Sequence, residues 1–171
     1  SMALKVPEFP TTFGMQALHF SKIVPGGMIV AGPDGRRFTD EKLKTRHGKV
    51  ASNGTWQALR TPCPMHMVFD QTLMASGPLY DKTPSHGWTQ IVERYDWSED
   101  NGAEFSKGWI KTADTIAELA RAIRLDPNSL SETVDRWNAQ AAAGLDGDFR
   151  RTLMLAPFDR GPYYEVELSP S

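Results

Sequence analysis

Three adjacent residues, Arg46, His47 and Gly48, have the types that acid–base or anion-binding chemistry requires. They follow Thr45 and a dense run of charged residues, 36–44. An arginine can bind a carboxylate through two parallel hydrogen bonds or stabilise an enolate. A neighbouring histidine can exchange a proton near pH 7. The charged run itself has a simpler interpretation, a solvated hairpin end whose acidic residues balance the basic ones.

Cys63 and His66 form a C-x-x-H pair between prolines. Structural zinc sites usually combine two closely spaced ligand pairs, and the sequence offers one half-motif. No G-x-S-x-G is present, and nothing around Cys63 favours a thiolate nucleophile. We therefore predict that this pair binds no metal ion. Cys63 is expected to be buried, and His66 is expected to lie three residues from it by chance.

Nucleotide-binding motifs are also missing from the sequence. A dinucleotide fold needs G-x-G-x-x-G between a strand and a helix, and the glycines at 26, 27, 32 and 35 do not have that spacing. The P-loop pattern is absent too. On this reasoning, a cofactor would be held by another part of a longer protein.

Four of the five tryptophans, Trp56, Trp88, Trp97 and Trp109, could line an apolar pocket. Trp137 lies on the apolar stripe of a predicted helix and is expected in the core. Scattered tryptophans in a loop-rich domain more often serve packing than binding.

The composition is that of a single globular domain. The chain has 171 residues and a net charge of −2, which offers no electrostatic basis for binding nucleic acid or a membrane surface. No apolar run approaches the roughly 18 residues of a membrane span. A single cysteine fits a reducing, cytoplasmic compartment. Residues 1–3 resemble an expression scar, leaving 4–171 as the domain.

Local patterns predict an α+β fold. Antiparallel hairpins and a short sheet should pack on a helix pair. The predicted strands are 27–31, a return strand at 36–39, a hairpin around Asn53-Gly54, and strands at 65–70, 106–110 and 163–168. Residues 4–25 read as an irregular, mostly extended lead-in. Apolar residues spaced i, i+3, i+4, i+7 predict helices at 115–124 and 128–143, with Asp126 capping the second.

Several stretches resemble, in order, motifs of the fumarate reductase/succinate dehydrogenase flavoprotein family, which includes the 3-ketosteroid dehydrogenases. GGMIVAGPDGRRFTDE is similar to the G-G-[IL]-x-V-[ND]-x-x-G-x-R-[FY]-x-[ND]-E segment of that family, and MHMVFD to its W-x-I-F-D strand. KGWIKTADTIAELARAIRLDPNSLSETVDRWNAQAAAGLDGDF resembles its helical segment, and PYYEVELSP the stretch that leads back to the flavin domain. The resemblance spans roughly residues 23–170.

This resemblance implies the capping, substrate-binding domain of an FAD-dependent oxidoreductase that transfers hydride between a substrate C–C bond and the flavin. The bond would lie next to a carbonyl or carboxylate, as in a 3-ketosteroid or in fumarate and succinate. FAD would be bound by a missing domain of the same polypeptide and is not expected in this fragment. The partners would be that flavin domain and a small-molecule substrate. The alternative is a stand-alone module that binds an apolar ligand without redox activity.

The resemblance also suggests roles for particular residues. Arg46 matches a cap arginine that donates a proton in fumarate reductases, although it lies five residues after Glu41 where the family has four. His47 would support it. The ketosteroid dehydrogenases have a tyrosine near this point of the motif. This sequence has Thr45 there, so the role of that tyrosine is not carried over. The expected substrate-binding residues are His19, Thr45, Trp56 and His66, and the context of His19 departs from the family's Q-x-H-P.

Overall fold

The computed structural model describes residues 2–5, 7, 15–17, 24–43, 45–46, 49–80 and 95–170. They contain nine strands and four helices. The strands are β1 (Met2–Lys5), β2 (Met15–Ala17), β3 (Met28–Ala31), β4 (Thr45–Arg46), β5 (Lys49–Ser52), β6 (Thr55–Ala58), β7 (Met65–Asp70), β8 (Ile110–Ala113) and β9 (Tyr163–Pro170). The helices are α1 (Gln71–Met74), α2 (Gly102–Ser106), α3 (Ile116–Ala122) and α4 (Pro127–Ala142).

The larger sheet has six strands in the order β2-β1-β9-β7-β3, with β8 also pairing β9. All of these pairs are antiparallel. Strand β7 pairs with β9 over residues 163–168, so β8 and β1 share the opposite edge of β9. The β8 register ends with Ile110 opposite Val166, and the β1 register begins with Leu4 opposite Leu168.

Both faces of this sheet are buried, which explains why β3 and β7 are almost continuously apolar. Side chains of a strand alternate between faces. Met28 and Val30 of β3 pack in one core cluster, whereas Ile29 and Ala31 pack in the other, against the two long helices. The segment around Trp97 covers the first face.

The helix pair has the caps that the sequence predicts, although α3 ends at Ala122 and not at residue 124. Thr115 and Glu118 form a reciprocal capping box at the start of α3. The Asp126 carboxylate accepts a hydrogen bond from the Ser129 backbone at the start of α4. Gly144, at φ +69°, follows the last turn of α4 in the left-handed conformation that glycine favours. The antiparallel sheet and the helix pair together confirm the predicted mixture of α-helices and β-strands.

Two local predictions were wrong, and a third was incomplete. Residues 36–39 make a single bridge, Ala31 to Arg37, in place of a return strand. The stretch predicted as extended from residue 106 begins at the last residue of helix α2, and the next strand starts at Ile110. The lead-in contains β1 and β2, because distant β9 supplies a pairing partner that local patterns cannot reveal. No described helix is long and apolar enough to cross a membrane.

Candidate functional site

Three of the predicted site residues, Thr45, Arg46 and Trp56, lie on a separate three-stranded sheet, in the order β4-β5-β6. Its backbone places Thr45 opposite Val50 and Arg46 opposite Lys49. Asn53 at φ +49° and Gly54 at φ +75° turn the chain between β5 and β6, as predicted from the Asn-Gly pair. His47 and His19 lie outside the described residues.

Trp56 is at the outer strand of this small sheet, opposite Ala51. Its side chain is 53% exposed, and every residue of β6 is exposed. A large aromatic side chain with half its surface in water is available to contact a ligand or another surface. Trp56 is therefore not a core residue of the described part.

Two residues of the charged run before β4 belong to a buried ionic cluster, which we call the Arg37 cluster: Arg37, Glu41, Asp146 and Arg151. Arg37 donates to both carboxylate oxygens of Glu41, at 2.7 and 2.8 Å. It also donates to both oxygens of Asp146, at 3.1 and 2.9 Å. The Arg37 and Glu41 side chains are 4% and 0% exposed, so the solvated-hairpin interpretation of this run is wrong for them.

Arg151 completes the Arg37 cluster from the other end of the chain. Its guanidinium donates to Glu41 Oε2 at 3.2 Å and to the backbone carbonyl of Met28 at 2.7 Å. Both guanidinium groups of the cluster lie 4.6 Å from the ring of Trp137 on α4. The cluster thereby holds residues 37–41 against the core. Arg46, the predicted catalytic residue, lies five positions after Glu41.

The cluster perturbs the pKa values of its members and neighbours. Burial alone would raise the pKa of Asp146, but hydrogen bonds from Arg37 and from the Arg151 and Phe149 backbone hold it well below its usual range. Burial would lower the pKa of Arg37, and its hydrogen bonds to Glu41 and Asp146 raise it overall. Burial, aided by the positive charge of Arg151, lowers the pKa of Lys42 to about 8.

The two glycines that open the family motif allow a close approach between segments. A Cβ at Gly26, which has φ +100°, would lie 2.5 Å from Asp70 Oδ1. A Cβ at Gly27 would lie 2.6 Å from the Cα atom of Phe158. The buried Asp70 carboxylate accepts hydrogen bonds from Gly27 and from Leu73 in the first turn of α1.

His66 lies on β7, on the larger sheet, and not among the residues of the small sheet. Its Nδ1 is 2.7 Å from Glu165 Oε1 on β9, and both side chains are buried. Burial raises the pKa of Glu165, although hydrogen bonding to His66 opposes the shift. The pair borders a cavity of about 500 Å³. The structure thus does not join His66 to Arg46 and Trp56 in one sheet.

Cys63 is exposed, so the prediction that it is buried was wrong. Among the described residues, no group of three or more His, Cys, Asp or Glu side chains could hold a metal ion.

The Arg37 cluster and the His66–Glu165 pair were not predicted. The R-x-x-x-E spacing of Arg37 and Glu41 was a usable signal for an ion pair. Nothing local in the sequence indicates their contacts with Asp146 and Arg151, more than a hundred residues away.

A flavin dinucleotide is usually held by a parallel strand–turn–helix unit whose glycine-rich turn binds the pyrophosphate. In the part of the chain that the structure describes, every strand pair is antiparallel and no such turn occurs. The described residues therefore identify no pyrophosphate contact.

Residues 6–171 match the family model described as FAD binding domain. A 4-oxocyclohex-2-ene-1-carboxylate 5-dehydrogenase of Sinomonas cyclohexanicum is 31% identical, over 88% of this chain and 26% of the relative. A fumarate reductase (cytochrome) of Shewanella frigidimarina is 26% identical, over 84% and 21%. The urocanate reductase of Eggerthella lenta is 33% identical over a shorter region, 47% and 14%. The chain thus spans about a quarter or less of the length of these relatives.

Two solved structures share the fold. The open conformation of a flavocytochrome c3 fumarate reductase aligns with a TM-score of 0.56 and 25% identity, covering 86% of this chain and 21% of that one. A 3-ketosteroid Δ1-dehydrogenase from Sterolibacterium denitrificans aligns with a TM-score of 0.59, covering 98% and 30%. At 17% identity the second likeness concerns the fold alone.

The family match corrects one prediction. The sequence suggested that FAD is bound by a missing domain and is not to be expected in this chain. That prediction is wrong, because the model that matches almost the whole chain is that of the FAD binding domain itself. It was inferred from the missing G-x-G-x-x-G and from the resemblance to the capping domain, and one absent motif is too narrow a criterion for the family.

Proposed function

Because the chain belongs to the FAD binding domain family, we propose that it forms the substrate-capping part of an FAD-dependent oxidoreductase acting on a C–C bond. The bond lies next to a carbonyl or a carboxylate. In such an enzyme, bound FAD would supply the hydride chemistry. The capping role concerns residues 4–171, within a longer polypeptide that carries the rest of the enzyme.

Arg46 is the proposed catalytic residue. Its guanidinium would bind the substrate carboxylate or carbonyl and lie close enough to transfer a proton to the carbon beside it. An arginine fits the orienting role because its planar fork matches a carboxylate in two hydrogen bonds. His47 would support the proton transfer. Thr45, Trp56, His19 and His66 stay predictions for substrate contact.

The observation that carries the proposal is the anchoring of the segment before Arg46. In the buried Arg37 cluster, Arg37 is hydrogen-bonded to Asp146, and Glu41 is hydrogen-bonded to Arg37 and Arg151. Strand β4 then pairs with β5. A catalytic arginine gains from a rigid support, because a misplacement of about 1 Å can cost about a hundredfold in rate. Lys49, directly opposite Arg46 in the register, adds positive charge to the hairpin.

The test uses the intact protein loaded with FAD, assayed with fumarate, urocanate, a 4-oxocyclohexenecarboxylate and a 3-ketosteroid, and with their reduced or oxidised counterparts. The Arg46→Ala variant should lower kcat/KM by about a hundred- to a thousandfold on the preferred substrate. The flavin absorbance spectrum and the melting temperature should stay unchanged. Arg46→Lys should recover part of the activity, since it restores the charge without the planar fork.

The Lys49→Gln variant is the matched control. It changes the charge of the paired strand and leaves Arg46 in place, so its kcat/KM should fall no more than about tenfold. Turnover near the wild-type level in Arg46→Ala would refute the catalytic assignment. Saturable binding of a steroid with no flavin-dependent turnover of any substrate would instead favour the apolar-ligand module considered above.

A further inference from the structure

The edge of the central strand β9 has a gap between its two neighbours. Strand β8 pairs with β9 as far as Val166, and β1 pairs from Leu168 onwards. Glu167 lies between them. The cavity of about 500 Å³ occupies this gap and is bordered by residues of both neighbouring strands. Its size suits a small organic molecule.

One wall of the cavity is aromatic. Trp97 and Trp109 line it, with ring centroids 6.3 Å apart. Trp97 is buried and its indole N–H donates to Asn101 at 2.9 Å, which fixes the orientation of the ring. The Nζ atom of Lys107 lies 4.6 Å from the Trp109 ring and adds positive charge beside this wall. A rigid aromatic wall favours a flat, apolar body.

The cavity lining carries two basic side chains, Lys111 and Arg124, and two acidic ones, Glu165 and Glu167. The Glu165 carboxylate is engaged by a hydrogen bond with His66 at 2.7 Å. Glu167 has an interaction of its own. Lys111 and Arg124 line the cavity from β8 and from the residues after α3. Lys111 uses one donor on the Gly108 carbonyl at 2.6 Å and keeps two others.

Arg124 occupies a backbone position that ordinarily calls for glycine. It follows α3 at φ +62°, and its neighbour Leu125 closes the terminal motif by donating to Ala120 at 2.9 Å. The equivalent position after α4 is Gly144. A side chain in this conformation costs about 1 kcal/mol relative to glycine. Such strain is often found at ligand sites, and this residue lines the cavity.

We propose that the gap in the β9 edge is a second small-molecule site, which binds an organic carboxylate with a flat apolar body. Lys111 and Arg124 hold the carboxylate, and Trp97 and Trp109 contact the body. The site is built from the six-stranded sheet and uses neither Arg46 nor the flavin. A negative result for the proposed reaction would therefore not bear on this proposal.

The test is calorimetric titration of the 171-residue chain with 2-naphthoate. The neutral 2-naphthamide and the cationic 2-naphthylmethylammonium serve as shape-matched controls. We expect 2-naphthoate to bind with a dissociation constant below about 1 mM and each control to bind at least about tenfold more weakly. A preference for the amide or for the cation would overturn the proposal.

The Arg124→Gly variant separates binding from folding. It should weaken 2-naphthoate binding about tenfold while raising the melting temperature, because it removes the cation and relieves the backbone strain together. Arg121→Gln, on the exposed side of α3 and outside the cavity lining, is the matched control and should leave the affinity unchanged. Wild-type affinity in Arg124→Gly, or no binding by the wild type, would refute the site.

Discussion

Replacing Glu41 by glutamine should destabilise the fold more than any surface change. The Glu41 carboxylate accepts four hydrogen bonds, two from Arg37 and one each from Arg151 and the Val30 backbone. Glutamine keeps one acceptor oxygen, whereas its amide group would face guanidinium donors that it cannot satisfy. Two lost charge-assisted bonds at about 1.5–3 kcal/mol each give about 3–6 kcal/mol. Removing one partner of a buried ion pair costs about 3–5 kcal/mol, which agrees.

Urea unfolding at pH 7, followed by circular dichroism, measures this cost directly. The matched control is Glu132→Gln, which removes the same charge from a surface pair. Its partner Arg36 is 3.6 Å away, and both side chains are more than half exposed. We expect the control to change the free energy of unfolding by less than about 1 kcal/mol.

A loss below about 1 kcal/mol in Glu41→Gln would refute the reasoning, because it would mean that the buried guanidinium groups do not depend on this carboxylate. If Glu41→Gln does not fold, Glu41→Asp keeps the charge and shortens the side chain. It should then fold with a smaller deficit. Failure of Glu41→Asp to recover any stability would also count against an electrostatic role.

Two further predictions concern stability. Because the folded pKa of Asp146 is depressed, its contribution is present above the unfolded value of 3.8 and is lost as pH falls below it. Asp146→Asn should therefore flatten the acid limb of a stability–pH curve between about pH 4 and pH 2, and an unchanged limb would contradict the assignment. Gly26→Ala should cost about 3 kcal/mol or more in urea unfolding, because its Cβ meets Asp70. Gly54→Ala, also at positive φ but in open space, should cost only about 1 kcal/mol.

The sequence alone was sufficient to predict the features that depend on contacts between residues close together in the chain. The capping box at Thr115 and the Asp126 N-cap each involve groups three residues apart, so the sequence shows both partners. The Asn53-Gly54 turn needs positive φ at two adjacent residues, and that pair supplies it. These features were predicted with nearly correct boundaries.

Contacts between residues far apart in the chain could not be predicted from local sequence patterns. Strand β1 exists because β9 lies beside it, and the two are separated by nearly the whole chain. The buried state of Arg37 depends on Asp146, which the sequence shows only as one acidic residue among many. From the sequence alone we expected these charged side chains to be exposed to solvent, because exposed charges are far commoner than paired buried ones.

The candidate site was predictable in part for the same reason. Arg46 was selected for its type and for its place after the family motif, and its catalytic role stays a prediction. The structure adds its backbone pairing with Lys49. Chain order gives no indication that His66 and Glu165 meet, since β7 and β9 become neighbours only in the folded sheet. The cavity beside them lies where β8 and β1 leave a gap along β9, which no local pattern encodes.

The central position of β9 also constrains how the protein is made. Strands β1, β7 and β8 all pair with this last described strand, so the sheet cannot assemble while the ribosome is still translating the residues before Tyr163. Until then, the apolar strands β3 and β7 can form only a two-stranded ribbon, which is marginally stable in water. We expect the nascent chain to depend on chaperones that shield apolar strands, and a polypeptide halted before Tyr163 to aggregate.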